Sequence, residues 1–135
     1  MNNMFIESES LFDFDDTAER LMKAIALKSW NLASVYDLQQ TLEKHGKEVL
    51  PIKIFALCHP AHSGKILEKD DERIITPMMP CRVSIYMKSN GKTYISRFNP
   101  SGIASSFDGL IGEVMSDSSN EVEEILSNIV RKSYI

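Results

Sequence analysis

The chain has 135 residues, of which 43% are hydrophobic and 25% charged, a balance typical of a globular domain with a real core. Its 15 basic and 19 acidic residues give a net charge of −4 without a basic patch, which argues against a nucleic-acid partner. No apolar run approaches the ~20 residues of a membrane helix. The first residues do not resemble a secretory signal, so we expect a cytoplasmic protein with no membrane partner.

Five segments predict β-strands, because apolar and β-branched residues there are bounded by turn residues. In chain order they cover residues 4–8, 32–37, 52–58, 81–88 and 92–98. The last two are joined by Ser89, Asn90 and Gly91, and the Asn-Gly pair predicts a hairpin with a two-residue type I′ turn. We expect residues 99–102 to end this hairpin.

Apolar residues at helical spacing predict five helices. They cover residues 16–28, short segments after Asp37 and from Pro60, and two closing stripes at 107–115 and 122–130. Asp16 opens a capping box for the first helix, and Ser118 and Ser119 separate the closing two. This order predicts an α+β fold with a mostly antiparallel sheet and helices packed on one face. We expect a single domain over residues 1–135, with its core in roughly 5–130.

Alternation along the strands assigns side chains to the two faces of the predicted sheet. A two-residue turn pairs Met87 with Tyr94, Ile85 with Ser96 and Val83 with Phe98 on the core face. On this reading both cysteines, Cys58 and Cys81, lie on the core face, as free cysteines usually do.

The opposite face of the predicted sheet is mixed rather than polar. Its apolar members are Phe55, Leu57, Tyr86 and Ile95. An uncovered patch of this kind usually marks an interface, so we expect a homodimer that packs partly through it. The alternative is that a helix covers the patch within one subunit.

The two cysteines are the best candidates for chemistry. Cys58 ends the third predicted strand just before a helix N-terminus, a position that favours a thiolate, and Cys81 opens the fourth strand. His59 and His62 lie close to Cys58 in sequence. We therefore expect a small-ligand site at Cys58, His59 and Cys81. Cys58, Cys81 and His62 together would suit Zn(II) or Cu(I), which accept soft ligands.

Two alternatives to this site stay open. In the first, the protein is a non-catalytic homodimeric interaction module whose cysteines serve only core packing, with no cofactor. In the second, Cys58 is a reactive thiol. The chain lacks the paired spacings of strong zinc motifs and carries no enzyme motif, which leans against catalysis. A disulfide between the cysteines is disfavoured in the cytoplasm, where thiols are kept reduced.

Residues 54–60 and 79–86, with the hairpin after them, resemble a small prokaryotic family known as domain of unknown function 302. That family's pattern is an apolar strand ending in Cys-x-Pro, a short helix, and a strand led by Pro-Cys. The resemblance covers roughly residues 5–130 and departs near Trp30 and Asn31, where relatives commonly have Gly. It implies a TATA-box-binding-protein-like α+β fold and dimers, and it implies no established activity.

Overall fold

A computed structural model describes residues 3–132 and contains one five-stranded sheet. The strands are β1 (Phe5–Glu9), β2 (Asn31–Asp37), β3 (Ile52–Cys58), β4 (Cys81–Met87) and β5 (Thr93–Phe98). The helices are α1 (Phe14–Leu27), α2 (Leu38–Glu43), α3 (Pro60–Leu67), α4 (Pro100–Ser106) and α5 (Gly109–Leu126), with a 3₁₀ helix at Glu72–Met78. The strand order is β1-β5-β4-β3-β2, and every neighbouring pair is antiparallel. This confirms the predicted α+β class.

The core lies between one face of the sheet and the helices α1 and α5. The helices contribute Ala18, Leu21, Ile25, Val122, Ile125 and Leu126. The strands contribute Phe55, Leu57, Val83, Ile85 and Ile95. Because burying one such large side chain stabilises the fold by about 1.5–3 kcal/mol, this layer supplies most of the driving force for folding. We call the other face of the sheet the outer face.

The assignment of the β3 side chains to the two faces was wrong. Phe55 and Leu57 are 1% and 0% exposed and belong to the core, whereas the prediction put the even-numbered residues of β3 there. Both alternating sets on β3 are apolar, so alternation alone does not choose between them. The pairing with β4 decides, because Phe55 lies opposite Val83 and Leu57 lies opposite Cys81.

The hairpin between β4 and β5 has a three-residue loop instead of the predicted two-residue turn. The Lys88 N–H donates to the carbonyl of Lys92, and Gly91 has a φ of 83°, the left-handed conformation that glycine adopts without strain. The extra residue shifts the pairing by one position, so that Ile85 lies opposite Ile95 and Tyr86 opposite Tyr94. A shift of one residue exchanges the two faces of β5, which brings Ile95 into the core.

This burial corrects the expected dimer surface. Phe55, Leu57 and Ile95 are at most 1% exposed beneath the helices of the same chain, so they form no uncovered patch. Tyr86 points to the outer face, and its hydroxyl donates to Glu7 Oε2 at 2.5 Å. The alternative, in which helices cover the patch within one subunit, therefore describes three of the four residues. The homodimer itself stays a prediction.

The first helix begins earlier than its predicted capping box. Asp13 is the N-cap, and its Oδ1 accepts a hydrogen bond of 2.8 Å from the Asp16 N–H. The helix ends before Ser29, which has a φ of 62°, and Trp30 then turns back into the core with 4% exposure. Downstream, Asp37 caps α2 as predicted, and its carboxylate accepts from the Gln40 N–H.

The C-terminal third of the chain differs most from the prediction. Residues 99–102 do not only end the hairpin, because Asn99 caps the short helix α4 and Pro100 occupies its first turn. The two closing helices are one continuous helix, α5, in which Ser118 and Ser119 are buried. Serine suits a loop by propensity, but here the apolar stripe continues in phase through both positions. Within residues 3–132 no helix is long and apolar enough to cross a membrane.

Candidate functional site

A pocket lies where β3 ends and β4 begins, beneath α3 and α5. We call it the thiol pocket. Its lining residues come from the β-sheet, α3, the end of the 3₁₀ helix and α5: Trp30, Leu57, Cys58, His59, His62, Ser63, Ile66, Met78, Met79, Cys81, Val114, Met115 and Ser118. The cavity volume is about 30 Å³, which holds one or two water-sized groups. The pocket thus unites Cys58, His59, His62 and Cys81, all of the predicted site residues.

Cys58 reaches the pocket as the last residue of β3. Its Sγ lies 3.3 Å from the hydroxyl oxygen of Ser63 in α3. His59 is the N-cap of α3, and its Nδ1 accepts a hydrogen bond of 3.1 Å from the Ala61 N–H, while Pro60 occupies the first turn. The sequence prediction that Pro60 starts a helix is confirmed, and one imidazole is used to fix the helix start.

Cys81 is the first residue of β4 and lies opposite Leu57, the residue before Cys58, and both cysteines line the thiol pocket. Both cysteines are free. Burial and, to a smaller extent, the nearby Cys58 raise the pKa of the Cys81 thiol to about 11. Cys81 is therefore a neutral thiol near pH 7.

His62 is held by a residue that sequence reasoning missed. Its Nε2 forms a short hydrogen bond with the Glu121 carboxylate in α5. The other carboxylate oxygen accepts from Trp30 Nε1 at 3.3 Å. Because an ionised carboxylate only accepts, Nε2 carries the proton, and in the neutral ring Nδ1 then keeps a free lone pair. Nδ1 is buried and has no hydrogen-bond partner among the described residues.

Glu121 was missed because residues 118–120 were read as a loop. With α5 continuous, Glu121 lies three positions after Ser118 and seven after Val114, both of which line the thiol pocket. Residues at this spacing share one helix face. A search for one uninterrupted apolar stripe through the serines would have placed Glu121 next to the pocket.

Three aromatic rings form one wall of the pocket. The ring centroids of Trp30 and His62 are 5.9 Å apart, those of Trp30 and His59 are 5.6 Å apart, and those of the two histidines are 5.2 Å apart. Trp30 is buried, and it therefore supports both imidazoles from the core side. This packing fixes the wall, whereas the sulfur side chains line the rest of the cavity.

The position of α5 above the pocket is set by an ion pair in which the arginine is buried. Arg97 on β5 donates from Nε and Nη2 to the two carboxylate oxygens of Glu123, each at 2.8 Å. The Arg97 side chain is only 4% exposed, and its Nη1 also donates to Ser8 and to the carbonyl of Ile95. A bidentate pair of this kind is directional, so it fixes the register of α5 over the sheet.

The cysteine and histidine side chains of the pocket do not form a preassembled zinc site. Structural zinc takes four nitrogen, sulfur or oxygen ligands in a tetrahedron. Among residues 3–132, no group of three or more His, Cys, Asp or Glu side chains is placed to hold a metal ion. The set Cys58, Cys81 and His62 therefore lines one pocket without forming a preassembled three-ligand centre.

Comparison with known proteins shows the family. A family model described as Domain of unknown function DUF302 matches residues 6–133. The crystal structure of an uncharacterised conserved DUF302 protein from Bacillus stearothermophilus superposes with a TM-score of 0.80. The alignment has 18% sequence identity and covers 93% of this chain and 97% of that one. No curated protein matches the sequence significantly. The resemblance stated from the two cysteine motifs is thus confirmed, and the chain belongs to the DUF302 family.

Proposed function

We propose that this protein binds a small thiophilic ligand in the thiol pocket. One observation carries the proposal: two cysteines from different strands open into one small pocket whose other walls are mainly apolar. Ligand sites combine an apolar lining with a few convergent polar or reactive groups, and this pocket has that composition. Its volume of about 30 Å³ restricts the ligand to a few atoms.

The main competitor is core packing, in which the thiols do nothing but fill space. Cys58 and Cys81 each keep part of their surface accessible at the pocket, although the Cys81 thiol is largely buried, whereas Leu57 and Val83 are 0% exposed. Cys81 also packs against the core layer, so packing accounts for part of its surroundings, and the accessible part of each side chain faces the pocket. Partial exposure at a pocket favours contact with a ligand.

A second candidate function is reactive-thiol chemistry at Cys58. It is favoured by the pairing of His62 with Glu121, because a carboxylate that orients an imidazole is a common support for a proton acceptor. His62 lies in the first turn of α3, and Cys58 is separated from that helix only by its N-cap, His59. An electrophilic ligand with an activated double bond would then add to the Cys58 sulfur, with the thiol proton ending on the neighbouring carbon of the ligand. A stable mass increase equal to the whole ligand, lost in Cys58→Ser, would reveal the adduct.

Thiol reagents of two sizes test the binding proposal. The reduced protein is treated with methyl methanethiosulfonate, which adds only a methylthio group, or with fluorescein maleimide, and modification is followed by intact mass. The control is Ser89→Cys in a Cys58→Ser/Cys81→Ser background, because Ser89 lies in the exposed hairpin loop. We expect Cys58 to react with the small reagent at a rate within about tenfold of the control. The bulky reagent should react at least about 100-fold more slowly than with the control.

Two results would contradict the proposal. If neither reagent reached Cys58 or Cys81 in the folded protein, the thiols would be packing residues. If both reagents reacted as fast as with the exposed control cysteine, there would be no pocket of restricted size. Circular dichroism of each variant excludes unfolding as the cause of any change in reactivity.

A further inference from the structure

We propose that the ligand of the thiol pocket is a soft monovalent cation of the Cu(I) type, held by the sulfur atoms of Cys58 and Cys81 and by a methionine thioether. This inference rests on the proposed function and narrows it to one chemical class.

The sulfur content of the pocket carries the inference. The chain has two cysteines and seven methionines, and five of these nine side chains line this one small cavity. They are Cys58, Cys81, Met78, Met79 and Met115. Thiolate and thioether sulfur are soft donors that select Cu(I) over hard cations. Methionines that only filled space would not need to gather around both cysteines of the chain.

The pocket lacks the ligands that other common metal centres require. None of the pocket-lining side chains is a carboxylate, so the oxygen ligands that Ca²⁺ and Mg²⁺ require are missing there. Iron–sulfur clusters take four cysteines as a rule, and the chain has two. A tetrahedral zinc centre needs four ligands around one ion, and among residues 3–132 no three His, Cys, Asp or Glu side chains are placed to hold one. Cu(I) needs fewer ligands than these centres, because two or three sulfur atoms complete its coordination.

The geometry of the backbone suits a low coordination number. Cys58 and Cys81 lie at the ends of two paired strands, with Cys81 opposite the residue that precedes Cys58. Met79 lies two residues before Cys81, at the end of the 3₁₀ helix, and Met115 approaches from α5. Sulfur-bearing side chains from the sheet, from the end of the 3₁₀ helix and from α5 line this one cavity, so two or three of them would hold the ion.

Charge and protons balance without a further reactant. Each cysteine that binds as a thiolate releases its proton to solvent, and two thiolates around one monovalent cation leave the site with one negative charge. No electron is transferred in the binding step. Affinity must therefore increase with pH, because the ion competes with protons for the two sulfur atoms.

The test is an anaerobic titration of the fully reduced protein with Cu(I), in competition with the chromophoric chelator bicinchoninate. We expect one Cu(I) per chain, and Cys58→Ser and Cys81→Ser should each lower the affinity by at least about 100-fold. The triple variant Met78→Leu/Met79→Leu/Met115→Leu should lower it about tenfold while conserving side-chain volume. Met22→Leu, an exposed methionine on α1, is the matched control and should leave the affinity unchanged.

The outcomes separate the two proposals. Stoichiometric Cu(I) binding that responds to both cysteine and pocket methionine changes supports the inference, and X-ray absorption of that complex should show a shell of two or three sulfur atoms. If the chain bound no Cu(I), or if its affinity were unchanged by the cysteine substitutions, the inference would be overturned. Size-selective modification of Cys58 would still support ligand binding in that case. If neither reagent modified Cys58 or Cys81 in the folded protein, both proposals would be overturned.

Discussion

Glu121 in α5 accepts a hydrogen bond from His62 in α3, across 59 residues of sequence. The same carboxylate accepts from Trp30, so one side chain joins α5, α3 and the segment that enters β2. His62 lines the thiol pocket, so this hydrogen bond holds part of the pocket wall in place. It also leaves the second ring nitrogen of His62 buried and without a partner among the described residues.

This contact predicts an energetic coupling between the two side chains. Glu121→Ala and His62→Ala should each destabilise the protein by about 1–2 kcal/mol, because the first leaves His62 Nε2 and Trp30 Nε1 without an acceptor and the second leaves one Glu121 oxygen without its donor. In a double-mutant cycle measured by urea unfolding, we expect a coupling free energy of about 1 kcal/mol. Glu124→Ala, in the same helix but exposed, should change stability by less than about 0.5 kcal/mol. Additive single changes would show that the pair does not act as a unit.

The buried thiol of Cys81 predicts a loss of stability at alkaline pH. Its pKa is about 11 in the folded protein, above the ordinary value of 9.0. Between these values the unfolded chain has lost a proton that the folded chain keeps, so the free energy of unfolding falls as pH rises. From about pH 8 to pH 10.5, the wild-type protein should lose about 1–2 kcal/mol more than Cys81→Ala.

Tyr86 does not confound this comparison. Burial, together with the hydrogen bond to Glu7, raises the pKa of Tyr86 to about 12, and the tyrosine is present in both proteins. Its contribution therefore cancels in the difference between wild type and Cys81→Ala. Equal slopes of stability against pH for the two proteins would contradict the assignment of a raised pKa to Cys81.

The corrected face of β3 predicts which of two neighbouring positions matters for folding. Phe55→Ala should destabilise the protein by about 3–5 kcal/mol, because it opens a cavity in the core layer. Ile54→Ala, on the outer face and partly exposed, should cost less than about 1.5 kcal/mol. Denaturant midpoints of the two variants measure the contrast. A larger loss at Ile54 than at Phe55 would restore the original assignment of faces.

The homodimer expected from the sequence is tested by its mass. Light scattering coupled to size exclusion should give about twice the chain mass of 15.3 kDa. Because Phe55, Leu57 and Ile95 are buried within the chain, their substitution is not expected to act on association directly. A monomer across the concentrations used for the pocket experiments would overturn the dimer prediction, without effect on the pocket itself.

The fold class followed from sequence because each element has its own local signal. Asp37 and Gly46 bound α2 through a side-chain cap and a left-handed residue, and Pro60 marks the start of α3. Such signals act over a few residues. The family resemblance likewise rests on short motifs around Cys58 and Cys81.

What local signals did not determine was how the elements meet. The hairpin loop was one residue longer than Asn90-Gly91 predicts, and this exchanged the faces of β5. Both faces of β3 are apolar, so the helix-covered side depends on pairing with β4. Ser118 and Ser119 disfavour a helix by propensity, but tertiary packing continues α5 through them. For the site, the cysteines and histidines were foreseeable, whereas Glu121 needed the continuous helix.

The most direct test of the shared thiol pocket is the number of methylmercury ions that the fully reduced chain binds, counted by native mass spectrometry. One ion fills a cavity of about 30 Å³, so the wild-type protein should saturate with one, and Cys58→Ser and Cys81→Ser should each still bind one. The double variant should bind none. Two ions on the wild-type chain would mean that Cys58 and Cys81 are independent thiols, and this result would contradict the account.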